Sequence, residues 1–240
     1  MHTNQQEEEE EEEEDDCSIC NETLPKLASK FTRMTCCGKG LHNKCYANIF
    51  KSSMSQKQKG QCIMCRTQHP RTDKDTIEQL RPWVEKGKAW AQSVLGEMYQ
   101  DGSGVEQSYQ RAKELFEMSA SQGVADAQYN LGDMHRKGHG VDQSYERAAE
   151  YFEAAARQGM TSAQYNLGLF YYHGLGVVQN FETARMWWIK SAEQEHENAI
   201  GMLQRLDKME GRTTPSFIPP KRCVTCDTPE TPSHKLNDCP

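Results

Sequence analysis

From Ala91 onward, apolar and small residues return along this 240-residue chain at a constant step of 36. Leu95, Leu131, Leu167 and Leu203 mark that step, as do Ala112, Ala148 and Ala184, and then Phe116, Phe152 and Trp188. The pair Ala-Gln recurs at Ala91-Gln92, Ala127-Gln128 and Ala163-Gln164. A fixed step without insertions marks a stacked helical-repeat array, in which each unit buries its apolar face against its neighbours.

Within a unit the spacing predicts two helices. Ala91, Leu95 and Met98 fall at i, i+4 and i+7, and Ala112, Phe116 and Ala120 at i, i+4 and i+8, each set on one helical face. Between them runs Gly-x-Gly-Val, at Gly102 to Val105, Gly138 to Val141 and Gly174 to Val177. The first glycine of each suits a left-handed helix stop, and Ser108, Ser144 and Asn180 stand where the next helix wants an N-cap. Gly96, Gly132 and Gly168 fall inside the first helix, where glycine costs about 1 kcal/mol relative to alanine. A close crossing of the two helices at that point would explain the choice.

The whole pattern, Ala-x-x-x-Leu-Gly followed by Gly-x-Gly-Val and then Ala-x-x-x-aromatic, resembles Sel-one-like repeats of the tetratricopeptide class. The resemblance covers three full units, about 91–126, 127–162 and 163–198, within a repeat region of 77–210. It implies a curved array that binds proteins or peptides on its concave side. The implied partner groove is formed by variable first-helix positions: Gln128, Asn130, Arg136, Gln164, Asn166 and Tyr172. Met98, Met134, Trp187 and Trp188 read as core. His135, His139, His173 and His196 read as structural or solvent-facing.

Both ends of the array carry partial units. Leu80, Val84 and Gly87 match the second half of an earlier unit, so Ile77 to Lys88 is expected to cap the N-terminal end, with Pro82 interrupting its helix. Ala199, Met202, Leu203 and Leu206 make an apolar stripe for a closing helix. Residues 67–76 and 211–222 read as linkers, the second from its Pro- and Thr-rich composition around Pro215 to Pro220.

Ahead of the repeats the pattern changes to paired cysteines: Cys17-x2-Cys20, Cys36-Cys37, His42-x2-Cys45 and Cys62-x2-Cys65. Two residues between thiolates let one tight turn aim both sulfurs at one ion, so these eight donors suffice for two tetrahedral zinc ions. Cys36 and Cys37 are adjacent, which strains shared ligation of one ion; His69 is the nearest spare donor. Phe31 to Thr35 favours strand and Tyr46 to Phe50 a short helix. A segment this short would take its folding free energy from the metal, on the order of 10 kcal/mol per structural site.

This order of pairs resembles a RING finger of the ubiquitin-ligase type. The resemblance implies an interleaved cross-brace, with Cys17, Cys20, His42 and Cys45 on one zinc and Cys36, Cys37, Cys62 and Cys65 on the other. It also implies a ubiquitin-conjugating enzyme as partner. Ile19, inside the first pair, would dock that enzyme, and Arg66, after the last cysteine, would donate hydrogen bonds across enzyme and ubiquitin. Ile63 stands where many members have proline, and the second long loop lacks a tryptophan. At the other end Cys223, Cys226, His234 and Cys239 supply four donors for a third zinc. They form a knuckle complete in itself or, by resemblance, the opening half of a MYND-type finger.

Charge adds one feature. Net charge is −7, but Glu7 to Asp16 are ten consecutive acids, and setting them aside leaves 28 basic against 25 acidic residues. Residues 1–16 read as a solvated tail, and the remainder gives no electrostatic case for nucleic acid. No apolar run approaches a membrane span and the first residues are acidic, so neither a span nor a signal peptide is expected. Ten cysteines without such a signal point to a reducing compartment, cytoplasmic or nuclear. The sequence thus predicts a small zinc-stabilised cross-brace RING domain plus an all-α helical-repeat solenoid. The expected function is a ligase whose repeats recruit a protein substrate, with a non-catalytic interaction scaffold as the alternative.

Overall fold

A computed structural model describes residues 31–34, 40–42, 62, 70–213 and 215–217. The chain divides into two compact units, Met1–Val124 and Ala125–Pro240.

In the first unit, strand β1 (Phe31–Arg33) pairs antiparallel with β2 (Gly40–His42), Phe31 opposite His42 and Arg33 opposite Gly40. The strand expected ahead of the Cys36-Cys37 pair is therefore present. Met34, just past β1, and Cys62 are buried.

Three helices follow: α1 (Asp73–Glu85), α2 (Ala89–Asp101) and α3 (Tyr109–Ser121). Helix α1 starts four residues before Ile77, inside the stretch expected to be linker. The Thr72 hydroxyl accepts from the Asp75 N–H while the Asp75 carboxylate accepts from the Thr72 N–H, a reciprocal capping box that fixes the start. Hydrogen bonds from the Arg71 and Thr72 N–H groups hold the Asp75 carboxyl below its ordinary value. Pro82 lies inside this helix without ending it, and the Pro82 carbonyl still accepts from Lys86 N–H at 3.2 Å. Thr72 and Leu80 precede Ser108 and Phe116 by 36 residues, so α1 is the second helix of a preceding repeat. Ile77, Leu80, Ala91, Leu95 and Met98 form the apolar core of the unit.

The second unit holds two helical hairpins and a closing helix: α4 (Ala125–Lys137), α5 (Tyr145–Arg157), α6 (Thr161–His173), α7 (Phe181–Glu193) and α8 (Glu197–Met209). Its local logic repeats that of α2 and α3. Gly138 and Gly174 end the first helices at φ near +75° and +70°, as Gly102 does at +74°. Ser144 and Asn180 cap the second helices by accepting from Arg147 N–H at 3.2 Å and Thr183 N–H at 2.9 Å. A glutamine in each connection, Gln107, Gln143 or Gln179, donates to a last-turn carbonyl of the first helix at 2.7 to 2.8 Å. These bonds satisfy the backbone groups a helix terminus leaves open.

The helix-internal glycines do what the sequence suggested. A Cβ on Gly96 would lie 2.7 Å from the Phe116 ring, one on Gly132 2.9 Å from Phe152, and one on Gly168 2.3 Å from Trp188. Each hairpin therefore sets a buried aromatic of its second helix against bare backbone of its first. Trp188 also donates its indole N–H to the Tyr165 carbonyl at 3.1 Å. Ala184, Trp188, Ala192, Ala199, Leu203 and Leu206 complete the core at the α8 end. Trp187, expected in that core, is only half-buried, with the Lys190 ammonium 4.4 Å above its ring.

Candidate protein-binding face

In a helical hairpin of this kind the first helix spends its Ala and Leu stripe on the core and leaves some of its other positions half-buried or exposed. In the second unit the exposed or half-buried first-helix positions belong to α4, α6 and α8. The Asn166 amide on α6 donates to the Tyr129 hydroxyl on α4 at 3.2 Å, and the Tyr129 ring rests 5.4 Å from Phe152. Tyr165 lies 4.8 Å from the His196 ring at the start of α8. Tyr172 contacts Phe181 at 5.4 Å and Trp188 at 5.5 Å, and its hydroxyl reaches the Met209 sulfur at 3.9 Å. A set of tyrosines and asparagines is thus held in place from behind.

The six groove residues expected from sequence separate into two groups. Asn130, Asn166, Tyr172 and Arg136 keep half-buried positions on first helices. Arg136 pairs with Asp133, which also takes Lys137 at 2.6 Å. Burial pushes the Asp133 carboxyl up, but the hydrogen bonds from Lys137 and Arg136 outweigh it and hold the group below its ordinary value. Gln128 and Gln164 belong elsewhere. Gln164 is buried, donates to the Ala156 carbonyl at 3.2 Å and accepts from the Gln194 amide at 3.0 Å; Gln128 accepts from Gln158 at 2.8 Å.

The same amide pair joins Gln122 to Gln92 at 3.0 Å. A buried amide cannot be left unsatisfied without cost, and these pairs tie the end of the second helix of each hairpin to its first. The Gln122, Gln158 and Gln194 partners were missed in the sequence, although they too recur every 36 residues.

The histidines are structural or exposed. His135 is buried, stacked 5.7 Å from Tyr151, and His139 and His173 are exposed. His196 is the N-cap of α8: its Nδ1 accepts from the Ala199 N–H at 3.3 Å, and burial pulls its pKa below the ordinary value.

Of the eight N-terminal ligand positions, the side chain of Cys62 alone lies within the described residues, buried; His42 is described as a position in β2. Cys17, Cys20, Cys36, Cys37, Cys45 and Cys65 lie outside them, as do Ile19, Arg66, His69, Tyr46 to Phe50, and Cys223, Cys226, His234 and Cys239. Among the described residues no group of three or more His, Cys, Asp or Glu could hold a metal, and no helix is long and apolar enough to cross a membrane.

Comparison with known proteins agrees with the hairpin geometry. The model of the Sel1 repeat matches residues 91–124, 125–160 and 161–196. Residues 91–196 are Sel1 repeats. The Sel1 units fall on α2–α3, α4–α5 and α6–α7, one hairpin each.

Two solved structures share this all-helical fold. The c5321 protective antigen of uropathogenic Escherichia coli, which displays an SLR fold, is 30% identical with a TM-score of 0.58, over 65% of this chain and 32% of its own. A Sel1 repeat protein from Oxalobacter formigenes is 26% identical with a TM-score of 0.55, over 59% of this chain and 58% of its own. This chain therefore spans about a third of the first relative and somewhat over half of the second.

The FAR1 N-terminal domain model matches residues 11–84, overlapping the paired cysteines and most of α1. No curated protein matches the chain.

Proposed function

We propose that the protein is an adaptor in which the Sel1 repeats hold a protein partner and the cysteine-rich segment ahead of them recruits a ubiquitin-conjugating enzyme. The observation that carries the first half is the tyrosine and asparagine face of α4 and α6, buttressed by the aromatic core. Phenols and carboxamides hydrogen-bond a peptide backbone and lose little side-chain entropy when already packed. No catalytic chemistry is assigned to these side chains.

The second half rests on the Cys and His spacing. Seven thiols and one imidazole are the donor set that zinc prefers, and four protein ligands per ion leave no open position for a hydrolytic water. The bound metal would supply folding free energy to the segment. Ile19 would then meet the conjugating enzyme, and Arg66 would hold the enzyme's ubiquitin thioester in a reactive pose, a positioning effect.

The FAR1 match to residues 11–84 favours a second reading, an N-terminal binding module without ligase activity. Incubating the purified full-length chain with ubiquitin, activating enzyme and a panel of conjugating enzymes separates the two. The ligase reading expects ubiquitin chains that disappear in Ile19→Ala and Arg66→Ala. Inactivity of the zinc-loaded chain across the whole panel would reject it and leave the scaffold.

A further inference from the structure

In a repeat array, a residue that departs from its equivalents serves something other than the repeat. Two such departures meet at the ends of α6 and α8. The last turn of each first helix holds Gln100, Arg136, Tyr172 and Lys208 at one position, and Asp101, Lys137, His173 and Met209 at the next. Six of these eight residues are charged or strongly polar, and Tyr172 and Met209 are the exceptions. Those two are in contact: the Tyr172 hydroxyl donates to the Met209 sulfur at 3.9 Å.

The two partners differ in freedom. The Tyr172 ring is held by His173, Phe181 and Trp188, whose rings stand 4.9, 5.4 and 5.5 Å away. Met209 is the last residue of α8 and is 54% exposed, whereas the core methionines Met98 and Met134 are 8% and 2% exposed. Solvent therefore reaches its thioether, and a phenol of fixed position stands beside it.

A thioether sulfur is a weak hydrogen-bond acceptor. Its oxidation product, the sulfoxide, is polar and chiral, and its oxygen accepts strongly. We infer that Met209 is a site of oxidative modification, and that its sulfoxide oxygen takes the Tyr172 hydroxyl as donor. The oxidant is a hydroperoxide. A sulfur lone pair attacks the terminal hydroxyl oxygen of the peroxide, so that an S–O bond forms as the O–O bond breaks. The departing oxygen takes the proton of the transferred hydroxyl and leaves as water or an alcohol. Sulfur is oxidised by two electrons and the peroxide is reduced by two. Reductases specific for each sulfoxide epimer restore the thioether, so the change is reversible.

Met118 and Met186 are comparably exposed, at 48% and 58%, but neither sulfur takes a hydrogen bond among the described residues. They are oxidisable without this consequence. Tyr172 also belongs to the face proposed above for a protein partner. On that reading, oxidation of Met209 commits the hydroxyl to α8 and weakens partner binding; the modification itself does not depend on it.

The test treats the full-length chain with hydrogen peroxide. Peptide mass spectrometry follows each methionine, and NMR of isotope-labelled tyrosine follows the Tyr172 ring, its signal assigned with Tyr172→Phe. Met209 is expected to oxidise alongside Met118 and Met186 and about tenfold faster than Met98 or Met134. The Tyr172 signal shifts in step with Met209 oxidation, and stays in place when Met209→Leu receives the same treatment. A Met209 as slow as Met134, a Tyr172 signal unmoved while Met209 is fully oxidised, or an equal shift in Met209→Leu would overturn the inference. Neither readout needs a partner, so a failure here is separate from a failure of the binding reading.

Discussion

Individual residues in this protein are chosen against their intrinsic preference where packing demands it, and two glycines show it by opposite signs. Gly132→Ala gains helix propensity of about 1 kcal/mol. Its new methyl, however, meets the Phe152 ring at 2.9 Å, and overpacking a filled core costs about 1 to 3 kcal/mol. The expected net result is a lower melting temperature. Gly201 on α8 has nothing within 4 Å of the same point, so Gly201→Ala should raise it. Thermal melts of the two variants beside the parent check both signs.

Two titrations act at the same scale. Burial pushes the Asp207 carboxyl up, but the Ser216 and Arg185 hydrogen bonds outweigh this and hold it below its ordinary 3.8. A folded pKa below the unfolded one means the stabilisation is complete above 3.8 and is lost as pH falls through the folded value. Removing the carboxylate at neutral pH, as in Asp207→Ala, takes one of two close carboxylate partners from the buried Arg185 guanidinium and leaves Glu210, so it is expected to cost about 1.5 to 3 kcal/mol by urea unfolding.

His196 is also depressed, from an ordinary 6.5, because burial disfavours the imidazolium. Its cap needs a neutral ring with Nδ1 as acceptor, so its stabilisation is complete above 6.5 and is lost as pH falls through the folded value. Replacement by Asn keeps a cap without the titration, so a melting temperature followed from pH 7.5 to 5 should flatten in His196→Asn. An unchanged slope would remove His196 from the account.

At the scale of the element, the sequence was legible wherever one residue had one job. The left-handed glycines, the serine and asparagine caps and the Ala-Leu stripes lie where their spacing put them, because caps and turns are decided within a few residues. Ser144→Ala is accordingly expected to cost about 1 kcal/mol in a urea titration.

The beginning of α1 was misplaced because its charged first turn resembles a linker. The capping box of Thr72 and Asp75 is a weaker signal than the apolar periodicity that begins at Ile77. The interhelical pairing of Gln128 and Gln164 was hidden for a related reason. A glutamine recurring on a first helix reads as a groove residue, and its partner 30 residues later becomes a neighbour only once the hairpin closes. The Arg185–Asp207 clasp was likewise invisible, since its members are 22 residues apart on different helices and neither breaks a local pattern.

For the whole molecule, the proposed function divides the work between separate parts of the chain, a repeat array for a protein partner and a zinc-dependent segment for the conjugating enzyme. The array's hairpins are stabilised by burial and by amide ties that a chelator does not touch. The segment from Cys17 to Cys65 has a metal as its proposed source of folding free energy. The two halves should therefore respond differently to metal removal: chelation should abolish ubiquitin transfer while leaving the helical signal of residues 73–209 near its original amplitude.

The measurement that reaches the central claim most directly is the zinc content of the purified full-length chain by native mass spectrometry. Two ions per chain are expected for the N-terminal donor set, and three if Cys223, Cys226, His234 and Cys239 close around another. A chain that carries no zinc, yet keeps residues 17–66 protected from proteolysis, would contradict the account.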